Sequence, residues 1–109
     1  MPTLLQQRDA ARHRLRLELY ESTRRRLREC LASLIPGQKV ILFGSLTRPG
    51  LFNDASDVDL AIEQEPLGIS SGELMSEISE RLGRPVDVVL LDRCRWRDRI
   101  LKEGEVRSS

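Results

Sequence analysis

Apolar residues recur mainly at four-residue steps from Thr3 to about Leu34: Leu4, Ala11, Leu15, Leu19, Thr23, Leu27, Leu31 and Leu34. That period predicts one long amphipathic helix, flanked by Tyr20 and Cys30 and ended by Pro36-Gly37. A globular helix averages only ~11–12 residues. The Thr3–Tyr20 half is therefore expected to project or to pack on a partner, unless the helix breaks near Glu21-Ser22-Thr23.

The period then changes. Val40-Ile41-Leu42-Phe43 is a short apolar run closed by glycine, which reads as a buried strand. From Asp57 the residues alternate, with Val58, Leu60 and Ile62 on one side and Asp57, Asp59, Ala61 and Glu63 on the other. Gln64 to Gly68 is a turn, and Ser70 or Ser71 caps a helix whose buried positions are Leu74, Ile78 and Leu82. Gly83 closes that helix, and Pro85 leads into a third strand, Val86–Leu91. A short helix is expected from Arg95 to Lys102, with Trp96 and Ile100 facing inward and Trp96 as a core anchor. Val106–Ser109 reads as a frayed end.

At 109 residues, with 39% hydrophobic and 32% charged positions, the chain reads as one soluble globular domain. Residues 1–36 form its long helix and 37–109 its remaining body. No run approaches the ~20 apolar residues of a membrane span, and no signal-peptide region opens the chain, so cytoplasmic residence is expected. Cys30 and Cys94 belong to no metal-binding spacing and read as buried thiols. His13, the one histidine, reads as a surface residue.

The net charge of +1 conceals an asymmetry, because residues 36–92 hold ten acids against four basic groups. An acidic centre repels bare nucleotide and needs divalent cations before it can work on phosphates. The Arg24-Arg25-Arg26 and Arg28 cluster has acids interleaved and few aromatics near it, so it reads as a solvated face. Direct nucleic-acid binding is not expected.

Candidate chemistry lies where the strands end. Gly44-Ser45 opens a turn or a first helical turn, where backbone N–H groups and a hydroxyl can meet a phosphate without an intervening Cβ. Asp57 and Asp59 share one strand face, and two carboxylates held that close repel unless a cation sits between them. Asp87 is the only charge in the third strand; by itself it also fits an edge position facing water. Together the three carboxylates can hold two divalent cations, with Mg²⁺ suited to hard oxygen ligands and substrate phosphates.

With its order Gly44-Ser45, Arg48-Pro49-Gly50, Ser56-Asp57-Val58-Asp59-Leu60 and Val86-Asp87-Val88, the sequence resembles the minimal nucleotidyltransferases of the DNA polymerase β-like superfamily. It looks most like the small MNT-domain proteins encoded beside HEPN-domain proteins, and Ile100–Gly104 resembles that family's closing segment. The resemblance implies an α/β (α+β) fold, a small mixed sheet of about three to four strands backed by helices. It further implies ATP and Mg²⁺ as ligands, metal binding by Asp57, Asp59 and Asp87, and a triphosphate held by Gly44 and Ser45 with Arg48. Asp87 would help to activate the acceptor hydroxyl. Eleven residues separate Ser45 from Asp57, one more than the family's usual spacing, and Pro49 interrupts its common Arg-Gly pair.

The function implied is AMP transfer to a tyrosine of a HEPN-type toxin, with this chain as the antitoxin. Transfer to a small molecule such as an aminoglycoside, and a non-catalytic binding or scaffold role, are the alternatives. The long helix is expected to serve either that toxin or a homodimer.

Overall fold

Thr3 begins the chain's first element by accepting a hydrogen bond from the Gln6 N–H at 3.1 Å, while the Gln6 side chain accepts from the Thr3 N–H at 2.8 Å. This reciprocal cap satisfies two end groups that the helix itself cannot pair. The computed structural model describes residues 1–109, and the capped helix α1 runs unbroken over Leu4–Leu34. At 1.5 Å per residue it is roughly 46 Å long, which accounts for the 56 Å long axis of the molecule. Residues 1–18 are exposed apart from partly covered Ala11; burial starts at Leu19 and is complete at Thr23, Leu27, Cys30 and Leu31. The break near Glu21-Ser22-Thr23 does not occur. No helix is long and apolar enough to cross a membrane.

The sheet holds four strands: β1 (Lys39–Phe43), β2 (Val58–Ile62), β3 (Val86–Leu90) and β4 (Glu105–Ser108), in the order β3-β2-β1-β4. β1 pairs antiparallel with both β2 and β4, and β2 pairs parallel with β3 across helix α2 (Ser71–Leu82). Ser70 caps α2 by accepting from the Glu73 N–H at 3.1 Å, and Gly83 ends it at φ 68°.

Because side chains alternate across a strand, each sheet face has its own core. Val40, Leu42, Val58, Leu60, Ile62 and Val86 pack under α1 and α2 with Leu27, Leu31, Leu74 and Ile78. On the opposite face Ile41, Ala61, Leu91 and Ile100 form a smaller core beneath α3 (Arg97–Glu103). Gly104 joins α3 to β4 in a space with no room for a side chain. A Cβ there would overlap the Ile41 methyl and stand 2.6 Å from the Ile100 carbonyl oxygen.

Four expectations are corrected. The end of the chain is not frayed: Glu105–Ser108 is a strand covering the open edge of β1, and the Gly37 N–H donates to the Ser109 carbonyl at 2.6 Å. Four residues with one apolar side chain carry almost no strand signal, and backbone pairing supplies what the side chains do not. Arg24 is not part of a solvated face; its side chain is only 14% exposed and pairs with Glu105, which also receives Arg107. Trp96 is not a core anchor. The last helix starts one residue after it, and Trp96 is 59% exposed while Ile100 alone is buried. Cys30 is buried as expected, whereas Cys94 is only partly so; neither is in a disulfide.

Candidate active site

The antiparallel register of β1 and β2 sets Phe43 opposite Asp59, and the parallel register of β2 and β3 sets Asp59 opposite Asp87. These three residues form one row across the second sheet face, at the end where β1 stops. Asp57 lies two residues before Asp59, just outside β2, with its side chain exposed. The structure thus places Asp59 between Asp57 and Asp87. Asp59 is half-buried and Asp87 exposed on β3, one of the sheet's two edge strands. Burial, then the charges of Asp87 and Asp57, hold the Asp59 carboxyl above its ordinary value.

β1 ends in the 3₁₀ turn Gly44–Thr47, which Leu46 anchors by complete burial. Gly44 takes φ 75°, a conformation that costs glycine little and other residues more, and the site requires glycine for space as well. A Cβ on Gly44 would stand 2.5 Å from Oδ2 of Asp59. The Thr47 hydroxyl donates to the Gly44 carbonyl at 2.7 Å, and the Arg48 N–H donates to the Ser45 carbonyl at 3.0 Å. From α1, Arg24 donates to the Leu46 carbonyl at 2.9 Å and fixes the turn from behind.

The longer segment between Ser45 and Asp57 is folded in rather than looped out. Phe52 is fully buried and meets Tyr20 edge-on at 6.3 Å between ring centres. Arg84 stacks over Phe52 at 4.7 Å and donates to the carbonyls of Asn53 at 3.1 Å and Ser56 at 2.8 Å. The Val58 N–H donates to the Pro85 carbonyl at 3.0 Å. Asp57 therefore leaves a segment held by the turn that precedes β3. Nothing in the sequence marks Arg84, Arg24 or Leu46 as part of this corner, since an arginine beside a proline, one inside a basic cluster, and a leucine in a turn carry no distinguishing pattern.

Beside this corner opens a cavity of about 540 Å³, a size in the range of small-molecule sites. Gly44, Ser45 and Arg48 line it together with Cys94, Trp96 and Arg99, so Arg48 shares a cavity with the Gly-Ser pair. The carboxylates adjoin it through Gly44 without lining it. The three acids neighbour one another but are not gathered into a set of three metal ligands. Their chemistry nevertheless suits a divalent cation: hard oxygens, one with its charge already disfavoured, facing a corner where no Cβ intrudes.

Comparison with known proteins places this arrangement. Residues 26–107, a span holding every residue of the corner, match the family described as Polymerase beta, Nucleotidyltransferase. Among solved structures, a chain of a "Crystal structure of the toxin-antitoxin with AMP-PNP" is 25% identical with a TM-score of 0.59. That match covers 75% of this chain and 69% of the other. A search of curated proteins finds no match. The protein with the Asp57-Asp59-Asp87 row and the Gly44-Ser45 corner belongs to the polymerase β nucleotidyltransferase family.

Proposed function

We propose that this chain transfers AMP from ATP to a hydroxyl group of a partner protein, a tyrosine of a HEPN-type toxin, and so acts as its antitoxin. The observation that carries the reading is the position of Asp59, flanked by Asp57 and Asp87 and pressed against the glycine corner. The family match supports nucleotidyl transfer. The similarity to a chain from a toxin–antitoxin structure containing AMP-PNP supports a nucleotide substrate and a toxin partner.

In this reading the Gly44 backbone lets the triphosphate approach closely, with Ser45 and Arg48 as hydrogen-bond donors. Asp57, Asp59 and Asp87 would hold two Mg²⁺ ions, which lower the pKa of an attacking hydroxyl and neutralise charge on the leaving pyrophosphate. The acceptor oxygen bonds to the α-phosphorus while the bond to the α–β bridging oxygen breaks. Asp87, the exposed carboxylate of the row, takes the hydroxyl proton and passes it to solvent. Incubation with α-labelled ATP and the co-expressed partner tests this. Label is expected on the partner with the wild type and none with Asp57→Ala/Asp59→Ala, and equal labelling by that variant would refute the proposal.

The exposed first half of α1 favours a second reading, in which the chain neutralises its partner by binding alone. Neutralisation that survives Asp57→Ala/Asp59→Ala but fails when residues 1–18 are removed would select it.

A further inference from the structure

The chain has four aromatic side chains. Phe52 is fully buried, Tyr20 and Phe43 are partly covered, and Trp96 alone is exposed. A single exposed apolar residue is ordinary on a protein surface, and Trp96 is distinguished by what surrounds it. It lines the 540 Å³ cavity with Leu51, itself 57% exposed, so two of the large exposed apolar side chains share one concave space. The guanidinium of Arg95 stands over the indole at 5.6 Å, and Arg95 is not among the residues lining the cavity. Trp96 thus contributes to the cavity wall while its indole also meets a cation from a residue outside that wall. The Trp96 backbone N–H donates to the Cys94 sulfur at 3.4 Å, and its carbonyl accepts from the Ile100 N–H at 3.0 Å, which ties the residue to the start of α3.

Gly44 and Ser45 line the same cavity. Its lining combines Gly44, Ser45, Arg48 and Arg99, which suit phosphates, with Leu51, Cys94 and Trp96, which suit a flat, largely apolar group carried on the same molecule. We propose that Trp96 is the stacking platform for the purine base of the nucleoside triphosphate, making it a specificity-determining residue of this site. The inference rests on the nucleotidyl-transfer reading above, and it adds where the base lies and which nucleotides bind best. Stacking uses the π-face that every base has, so it grades bases by ring area instead of reading hydrogen-bonding edges. Purine triphosphates are therefore expected to bind several-fold more tightly than pyrimidine triphosphates, with little distinction between ATP and GTP.

Trp96 is the only tryptophan, so its fluorescence reports on the proposed platform without any substitution. Titration of the wild type in Mg²⁺ is expected to show quenching by ATP and GTP, weaker quenching by CTP, and none by inorganic tripolyphosphate that nonetheless displaces ATP. By calorimetry, Trp96→Ala is expected to weaken ATP binding about tenfold and to leave tripolyphosphate binding unchanged. Trp96→Phe should keep most of the affinity. ATP binding that leaves the fluorescence unaltered, together with wild-type ATP affinity in Trp96→Ala, would overturn the platform and leave nucleotidyl transfer standing. Failure of both ATP and tripolyphosphate to bind the wild type would overturn both.

Discussion

A Cβ placed on Gly44 would stand 2.5 Å from Oδ2 of Asp59. The corner and the carboxylate row are thus one object, since the end of β1 can reach the side chain of β2 only because residue 44 has none. Gly44→Ala meets both that overlap and a φ of 75°. It is expected to destabilise the fold by about 1–3 kcal/mol, read as a lower melting temperature, and to lose the proposed AMP transfer even where the variant remains folded.

The raised Asp59 carboxyl has a consequence for stability. Between its unfolded and folded pKa values the native state binds more protons, so stability falls as pH rises through that window. At neutral pH the ionised Asp59 is therefore a cost. Asp59→Asn removes it and is expected to raise the melting temperature at pH 7 while abolishing transfer, with the gain vanishing in acid. Asp59 is only half-buried, so the gain is at most about 1 kcal/mol after solvent screening. A variant less stable than the wild type at pH 7 would contradict this account of the row.

Arg84 fixes the segment from which Asp57 emerges, by two carbonyl hydrogen bonds and a stack on Phe52. Arg84→Ala is expected to cost about 2–3 kcal/mol. Arg84→Lys cannot form the same planar fork and should fold while slowing transfer by roughly tenfold. Melting curves and transfer rates, measured together, separate the two effects.

Glu105 joins the first helix to the last strand. Burial tends to raise its carboxyl, but hydrogen bonds from Arg107 and Arg24, and then their charges, outweigh it and hold the group below its ordinary value. The resulting stability is present above the unfolded carboxylate range and is lost as pH falls through the lowered value. Glu105→Gln is expected to lower stability at neutral pH by about 1 kcal/mol or less, given its partial exposure. The difference from wild type should close in acid, as pH-dependent thermal melts would show.

Residues whose spacing expresses geometry were readable in the sequence. Alternation around Asp57 and Asp59 fixed the sheet face, the four-residue steps Thr23, Leu27 and Leu31 fixed the buried stripe of the second half of α1, and Gly83 and Pro85 marked the turn before β3. What escaped depends on partners distant in sequence. The strand Glu105–Ser108 exists because β1 has a free edge, Trp96 is exposed because α3 begins just after it, and Arg24 is covered because Glu105 reaches it. The Asp59–Asp87 juxtaposition is also a register, which no local pattern records.

The claim on which these expectations depend is that Asp57, Asp59 and the Gly44-Ser45 corner bind ATP together with magnesium. Calorimetric titration of ATP, with and without Mg²⁺, measures it directly. The wild type is expected to bind at least about tenfold more tightly with Mg²⁺, and folded Asp57→Asn/Asp59→Asn is expected to be indifferent to the cation. Equal affinity with and without Mg²⁺ in the wild type, or the same Mg²⁺ dependence in the variant, would contradict it.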